Sequence, residues 1–387
     1  MTVQFRLGHN HHKVVEDFLS RSPGATSAIT LDPKATRHQL QTADAARDQG
    51  ISVFFEPSTE RLAEPGYGLE SFPIWGGAPY SIDVLAADLR ARETLVQRTI
   101  EAHPDGVTHV TAPHFYVDNE RTARLNLDLA EMTRLRVDGK PTRAVLTVTN
   151  RFAQRHATDL AAEYVHAGIT DLELRMSPFG GEDESLKKVR DGFSAAQGFT
   201  DAGLRVTLGQ SGNLGEVAVA LGHVAPYSVG IGLLEHVNHS AVISRQKAEP
   251  KPRTDDDPGG GPLTGVYLNG LAFTAPPRVA KAVLGHSDLR TRVGCREGRC
   301  GTSVRGPLLD TRDHYLHSRD TQMRRLLDQP EGWRPTSEIE RLRAALNLRQ
   351  HINNNYLGPN RLAVRPLPTR TLESLISDID LVRQAAS

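Results

Sequence analysis

The stretch RAVLTVTNRFAQRHATDLAAEYVHAG, residues 143–168, combines a strand and a helix in one continuous unit. Residues 143–149 are rich in β-branched side chains and predict a buried strand. Residues 155–168 have the apolar spacing of an amphipathic helix, and the segment ends at Gly168, a common residue just after a helix. A strand followed directly by a helix is the building unit of an α/β fold.

The same unit recurs from the N-terminus to about residue 245. The eight predicted strands are VQFRLG (3–8), TSAITL (26–31), ISVFFE (51–56), VTHVTA (107–112), RAVLTVT (143–149), DLELRM (171–176), LRVTLG (204–209) and YSVGIGL (227–233). Eight such units in about 240 residues predict a (β/α)₈ barrel of the TIM type. A doubly wound open sheet is the alternative that the periodicity leaves open.

The chain divides into three predicted parts. The barrel is expected to occupy residues 1–246, and KAEPKPRTDDDPGGGPL at 247–263 predicts a flexible linker because it is polar and rich in Pro and Gly. Residues 264–387 predict a C-terminal subdomain, zinc-binding and helical, with helices at 310–329 and 336–357.

The composition is that of a globular, enzyme-like chain. Of 387 residues, 38% are hydrophobic and 24% are charged, and the formal net charge is zero. No apolar run reaches the length of a membrane span, and the N-terminus lacks a secretion signal, so we expect a cytoplasmic protein without a membrane partner. The only two cysteines, Cys295 and Cys300, cannot build a disulfide framework, which leaves metal binding or chance.

Charge is unevenly distributed in the C-terminal region. Between Arg290 and Arg325 the chain has nine arginines, four acidic residues and no lysine. Arginine suits bidentate contact with phosphate, so this arginine-rich segment predicts a nucleic-acid partner. The alternative is a solvated surface with internal ion pairs.

In a barrel of this type the reaction takes place at the carboxyl ends of the strands. Three carboxylates are expected there as catalytic groups, Asp32, Glu56 and Glu235, although each could instead cap a loop or pair with a cation. The predicted substrate-binding residues at the same end are His114, Tyr116, Arg151, Arg175, Gln210, Ser211 and Gly212.

Two loops add to this prediction. A long segment after the third strand, residues 55–83, contains Tyr67, Phe72, Trp75 and Tyr80 and is expected to fold over the barrel mouth. GQSGNLGE at 209–216 is a glycine-rich strand-to-helix turn, which indicates either a phosphate cradle or a tight turn without a ligand.

Histidines and cysteines suggest two alternative metal sites. His9 and His11 have the His-x-His spacing that metal-dependent amidohydrolases place on their first barrel strand, which would make the protein a hydrolase of small molecules. The other site would combine Cys295 and Cys300 with His314 and His317, which share a helical face, or with the upstream His286.

The barrel, the GQSGNLGE turn, the cysteine pair and the helix DHYLHSRDTQMRRLL together resemble the tRNA-guanine transglycosylase superfamily, which includes DNA-modifying paralogues. The YLH of that helix is similar to the family's tyrosine-leucine-histidine, which implies that His317 is a zinc ligand together with Cys295 and Cys300. The family usually has three cysteines, so His286 or His314 would replace one. Its aspartate nucleophile signature is absent, and Glu235 is the carboxylate after the last strand.

The resemblance implies an enzyme that modifies a base in DNA or RNA, by base exchange or by N-glycosidic cleavage. Glu235 or Asp32 would attack the anomeric carbon or stabilise its positive charge, Glu56 would transfer the proton, and the aromatic loop would stack on a flipped base. Zinc is the expected cofactor, and a homodimer is a further expected assembly. A nucleic-acid-binding barrel without catalytic activity is the non-enzymatic alternative.

Overall fold

Eight parallel strands form a (β/α)₈ barrel at the centre of the protein. The computed structural model describes residues 2–248, 264–301, 306–357, 362 and 364–386. The barrel strands are β1 (Thr2–Arg6), β2 (Thr26–Leu31), β3 (Ser52–Phe55), β4 (Val110–Thr111), β5 (Thr142–Thr149), β6 (Asp171–Ser177), β7 (Arg205–Leu208) and β8 (Pro226–Gly230). The first residue of each strand lies within two residues of the predicted first residue, except in the short β4, which starts three residues later than predicted.

The strand order shows that the sheet closes on itself. Neighbours follow the order β3-β2-β1-β8-β7-β6-β5-β4, and β1 pairs in parallel with both β2 and β8. The two ends of this order meet where the N–H of Thr108 donates to the carbonyl of Val53 at 2.8 Å. The doubly wound alternative is therefore wrong, because an open sheet would leave two unpaired edges.

Helices cover the outside of the barrel and build the C-terminal region. They are α1 (His12–Leu19), α2 (Leu40–Asp48), α3 (Thr59–Leu62), α4 (Ile82–Ala87), α5 (Leu89–Ala102), α6 (Glu120–Arg136), α7 (Asn150–His166), α8 (Leu186–Asp201), α9 (Gly212–Ala220), α10 (His239–Lys247), α11 (Pro277–Gly285), α12 (Ser287–Val293), α13 (Gly298–Gly301), α14 (Gly306–Leu309), α15 (Thr311–Leu327), α16 (Arg334–Asn355) and α17 (Arg370–Ala386). The antiparallel strands β9 (Val266–Leu268) and β10 (Phe273–Ala275) precede α11.

The C-terminal region packs directly on the barrel. Tyr315, Leu316 and Met323 of α15 are fully buried in the same apolar core as the barrel strands. A second, smaller core around β9, α11 and α12 includes Val266 and Leu289. The predicted boundaries at 246 and 264 stay predictions, and residues 249–263 of the linker lie outside the described residues.

In the part of the chain that the structure describes, no helix combines the length and apolar character needed to cross a membrane.

Candidate functional site

A cavity of about 330 Å³ opens at the carboxyl ends of the barrel strands. We call it the mouth cavity; the residues that matter below are Arg6, Asp32, Glu56, Glu60, Arg175 and Gln210, all of which line it. Because the carboxyl ends of parallel strands meet on one face of a barrel, residues far apart in sequence converge there. The structure therefore brings together Asp32, Glu56, Arg175 and Gln210 of the predicted site.

Glu56, directly after β3, is held by two arginines. Its Oε2 lies 2.6 Å from Nη1 of Arg6 and 2.5 Å from Nη2 of Arg175, and its Oε1 accepts the N–H of Ser58 at 2.9 Å. Burial alone would raise the pKa of Glu56, but Arg175 and Arg6 hold it well below the ordinary value. Glu56 is thus ionised, and both its oxygens have protein partners.

A buried charge network beneath Glu56 was not anticipated from the sequence. Glu173 and Arg175 are two residues apart on β6 and so face the barrel interior together. Oε2 of Glu173 lies 2.8 Å from Arg175 and 3.1 Å from Arg143, and Oε1 accepts from the Ser228 hydroxyl at 2.8 Å. In DLELRM the charged residues alternate with apolar ones, and this period of two could have predicted that Glu173 and Arg175 lie on the same face of the strand.

Asp32, after β2, is the carboxylate that remains open to the mouth cavity. Its Oδ1 accepts the N–H of Lys34 at 2.8 Å, whereas Oδ2 accepts no hydrogen bond from the described residues. Burial raises the pKa of Asp32, and that hydrogen bond offsets the rise only in part. Asp32 and Glu56 therefore sit in environments that move their pKa values in opposite directions, a pattern typical of paired catalytic carboxylates.

His114 faces Glu60, a residue that the sequence prediction missed. Nε2 of His114 lies 3.2 Å from Oε2 of Glu60 and 3.7 Å from Oε1 of Glu56. Both Nε2 of His114 and Oε2 of Glu60 are buried, and neither makes a hydrogen bond within the described residues. Glu60 was missed because it lies in α3, five residues beyond the end of β3, and no sequence spacing connects it to His114.

The loop between β3 and α4 contributes one aromatic ring to the mouth cavity. Phe72 lines the cavity, and its ring contacts two cations, with Nζ of Lys34 at 4.3 Å and the guanidinium carbon of Arg61 at 5.0 Å from its centre. Trp75 and Tyr80 instead pack against the small apolar cluster of this loop, and Tyr67 is 49% exposed. Of the four predicted stacking residues, Phe72 alone reaches the cavity lining.

Glu235 is buried between the barrel and α15. Its Oε2 lies 2.6 Å from Nη2 of Arg319 and accepts the hydroxyl of Tyr315 at 3.1 Å. Glu235 is absent from the residues that line the mouth cavity, although Leu234 and His236 on either side belong to them. Its position is that of an anchor for α15.

The turn at 209–212 has its backbone N–H groups already engaged. Gln210 donates to the Ser228 hydroxyl at 3.0 Å, Ser211 to the Ser228 carbonyl at 3.3 Å, and Gly212 to the Glu235 carbonyl at 3.2 Å. Gln210 lines the mouth cavity, but Ser211 and Gly212 do not. The phosphate-cradle interpretation therefore lacks free donors at these three positions, whose N–H groups bind Ser228 and Glu235 instead.

Tyr116 and Arg151 lie away from the mouth cavity lining. The Tyr116 ring stacks on His239 with centres 4.0 Å apart, and its hydroxyl donates weakly to the Ser177 carbonyl at 3.5 Å. Arg151 is exposed at the start of α7. Tyr116 reaches the cavity only through His239, which does line it.

His9 and His11 do not share a strand face. Because β1 ends at Arg6, His9 lies in the following turn, and His11 precedes α1 with Nδ1 accepting the N–H of Gly8 at 2.8 Å. Burial and then Arg312 lower the pKa of His11 to about 4. Within the described residues neither histidine belongs to a group of three metal-ligating side chains. The amidohydrolase alternative thus lacks the ligand geometry that it requires.

Two cysteines and two histidines converge near the start of α15, and we call them the Cys/His cluster. Its ligand atoms, from Cys295, Cys300, His314 and His317, all lie within 4.8 Å of one another. Sγ of Cys295 is 3.4 Å from Nε2 of His317, and Sγ of Cys300 is 3.6 Å from Nδ1 of His314. Tetrahedral zinc separates sulfur and nitrogen ligands by about 3.5 Å.

The Cys/His cluster has a supporting contact that fixes one ring. Nε2 of His314 lies 2.6 Å from the carbonyl oxygen of Tyr267 on β9, so this nitrogen carries the proton and Nδ1 is free to bind a cation. His286 packs against Tyr356 instead and is not in the cluster. These four residues can hold a metal ion.

The arginine-rich segment divides into buried and exposed side chains. Arg319 is fully buried and pairs with Glu235, with Glu216 further away at 3.5 Å. Arg292, Arg296 and Arg324 are exposed. Arg319 therefore holds α15 on the barrel and cannot contact a phosphate. For this residue the alternative prediction, an internal ion pair, is the one that the structure shows.

No family model and no curated protein matches this chain. A protein of Coccidioides immitis described as a candidate fructose-1,6-biphosphate aldolase is 15% identical, with 59% of this chain and 73% of that chain covered and a TM-score of 0.32. A GH10 xylanase of Thermobacillus composti is 10% identical, with 62% and 84% covered and a TM-score of 0.38. The carboxyl transferase domain of Rhizobium etli pyruvate carboxylase is 10% identical, with 100% and 61% covered and a TM-score of 0.36. Likenesses at this level give no indication of function.

Proposed function

We propose that this protein is an enzyme that exchanges or removes a base of a nucleic acid at the mouth cavity, with zinc in the Cys/His cluster. One observation carries the proposal: Cys295, Cys300 and His317, which the resemblance implies as zinc ligands, converge with His314, one of two candidates for the fourth ligand, at distances that suit tetrahedral zinc. The resemblance rests on sequence motifs, chiefly a cysteine pair and YLH, and the distances between these side chains are independent support for it.

Asp32 is the carboxylate best placed to react. The attack forms a bond between Oδ2 of Asp32 and the anomeric carbon and breaks the N-glycosidic bond, whose electron pair leaves with the base. The departing base takes a proton from solvent. An incoming base, which loses its N–H proton to solvent, then displaces Asp32 in exchange, or water does so in cleavage.

Cations at the rim of the cavity support a polyanionic substrate. Lys34, Arg61 and Arg245 line the mouth cavity together with Asp32. Lys34 and Arg61 also flank the Phe72 ring, so a base stacked on that ring would lie beside side chains that can bind its phosphates. Glu56, whose Oε2 is paired with both arginines, acts in this scheme as a fixed charge that orients Arg6 and Arg175.

Base release is the direct test. Zinc-loaded full-length protein is incubated with bulk tRNA and with single-stranded DNA, with and without added guanine, and free and incorporated bases are measured by mass spectrometry. We expect Asp32→Asn to reduce the rate at least about 100-fold without changing the melting temperature by more than a few degrees. Asp44→Asn, which changes an exposed carboxylate of α2, is the matched control and should react like the parent.

Two outcomes would refute the proposal. One is salt-dependent nucleic-acid binding that persists in Asp32→Asn with no base released or exchanged from either polymer, which would favour the non-catalytic barrel. The other is a base-exchange rate that does not depend on Asp32.

A further inference from the structure

We propose that the mouth cavity contains a second metal site, in which Glu60 and His114, with Oε1 of Glu56, bind a divalent cation. The site stands on geometry alone and does not depend on the proposed base chemistry or on the Cys/His cluster.

Glu60 is a carboxylate whose side chain is only 12% exposed and whose Oε2 is buried, without a strong cation beside it. No arginine or lysine nitrogen of the described residues lies within 4.0 Å of its oxygens, whereas Glu56 has two arginines and Glu173 has three within that distance. The contact of Glu60 is Nε2 of His114. A buried, ionised carboxylate without compensation is costly, so a positive charge is missing at this position.

The ring of His114 is held so that Nε2 faces the carboxylates. The Thr59 hydroxyl donates to the His114 carbonyl at 2.5 Å and accepts the His114 N–H at 2.7 Å, which fixes this backbone to α3. Nδ1 of His114 lies 3.4 Å from the carbonyl oxygen of Ala112, an acceptor, and this contact favours the proton on Nδ1. Nε2 then presents a lone pair to Glu60 and Glu56, an arrangement that a bound cation makes favourable.

The distances suit direct coordination. Nε2 of His114 lies 3.2 Å from Oε2 of Glu60 and 3.7 Å from Oε1 of Glu56. Octahedral bonds of about 2.1 Å place adjacent ligand atoms about 3 Å apart. The arginines bind the other oxygen of Glu56, Oε2; Oε1 accepts the N–H of Ser58 and has a second lone pair for a cation.

The ligand set indicates the class of metal. Two carboxylates and one imidazole without sulfur suit Mn²⁺ and similar cations that accept mixed oxygen and nitrogen ligands, whereas the thiolates of the Cys/His cluster select zinc. Glu60 also lines the mouth cavity, so the remaining coordination positions face the space where a substrate would bind. The site is therefore of the open type, which leaves room for water or substrate oxygen.

The test is a titration of the zinc-loaded full-length protein with Mn²⁺. Binding is measured as the loss of the free-ion signal in electron paramagnetic resonance. We expect one Mn²⁺ per chain, and an affinity at least about tenfold lower in both Glu60→Gln and His114→Gln. Glu64→Gln, one turn further on and paired with Lys247 at 2.9 Å, is the matched control and should bind like the parent. Cys300→Ser should also retain the Mn²⁺ site.

Absence of Mn²⁺ binding at millimolar ion, or unchanged affinity in Glu60→Gln, would overturn the proposal and leave His114 alone as the partner of Glu60. Circular dichroism of each variant establishes that it is folded. If one of the two ligand variants does not fold, the other decides.

Discussion

The two groups of metal-ligating side chains differ in what surrounds them. The Cys/His cluster is closed, with four protein ligands and a backbone contact from His314 to β9. The group at the mouth cavity has three candidate ligands, two polar atoms without a hydrogen bond within the described residues, and an open cavity beside it. Closed sites are typical of structural metals and open sites of catalytic ones. If the proposed function is right, the Cys/His cluster would stabilise the fold and the barrel mouth would hold the reacting groups.

The Cys/His cluster also lies on the helix that connects the C-terminal region to the barrel, where a bound metal would stabilise that contact. His314 and His317 are on α15, the helix whose Arg319 reaches Glu235 of the barrel and whose Tyr315 packs in the barrel core. A metal there fixes the first turns of α15 to the segment around Cys295 and Cys300. The mouth, in contrast, is built on strand ends that the barrel positions by itself.

Removal of the cysteines should give the largest effect on stability. We expect Cys295→Ser with Cys300→Ser to abolish zinc binding and to lower the free energy of unfolding by about 4 to 5 kcal/mol, because the metal binds only the folded form. Metal analysis and thermal unfolding measure this. His286→Asn, a nearby histidine outside the cluster, should keep its zinc. Full zinc content in the double variant would show that the cluster is not the site.

Glu235→Gln should separate anchoring from catalysis. The substitution weakens the buried pair with Arg319, so we expect a loss of about 3 kcal/mol in unfolding free energy while the rate per folded molecule stays within about twofold. Urea unfolding and the base-release assay measure the two quantities. A large loss of rate in a variant that remains stable would instead indicate that Glu235 is a catalytic residue.

The smallest effect concerns Glu216, buried between Arg319 and Arg341. Burial raises its pKa to about 7, so its contribution to stability is complete below the unfolded pKa near 4.5 and is lost as the pH rises through about 7. Glu216→Gln should therefore raise stability at pH 8 by roughly 1 to 3 kcal/mol and have little effect at pH 4.5. Thermal unfolding across this range checks it; equal effects at both pH values would contradict it.

The sequence predicted what depends on short-range patterns. The eight strands followed from β-rich runs separated by helical spacing, and the Cys/His cluster followed from residues 295–317, which are close enough in the chain for spacing to be informative. Asp32 and Glu56 were placed correctly at the mouth because they directly follow strands.

The rest depends on contacts between distant segments. Whether Glu235 points into the cavity or toward α15 is decided by Arg319, which is 84 residues further on. Glu60 and His114 meet because Thr59 bonds the backbone of His114, a contact across 55 residues that no local pattern encodes. Glu173 and Arg175 lie inside the barrel because their charges neutralise each other there, against the usual preference for apolar strand residues.

Anomalous diffraction from crystals of the full-length protein soaked in Mn²⁺, recorded at the zinc and manganese absorption edges, tests the separation of the two metal sites most directly. We predict a zinc peak among Cys295, Cys300, His314 and His317 and a separate manganese peak between Glu60 and His114. A manganese peak in the Cys/His cluster, or a barrel mouth without any peak, would contradict the division between a structural metal and a reactive mouth.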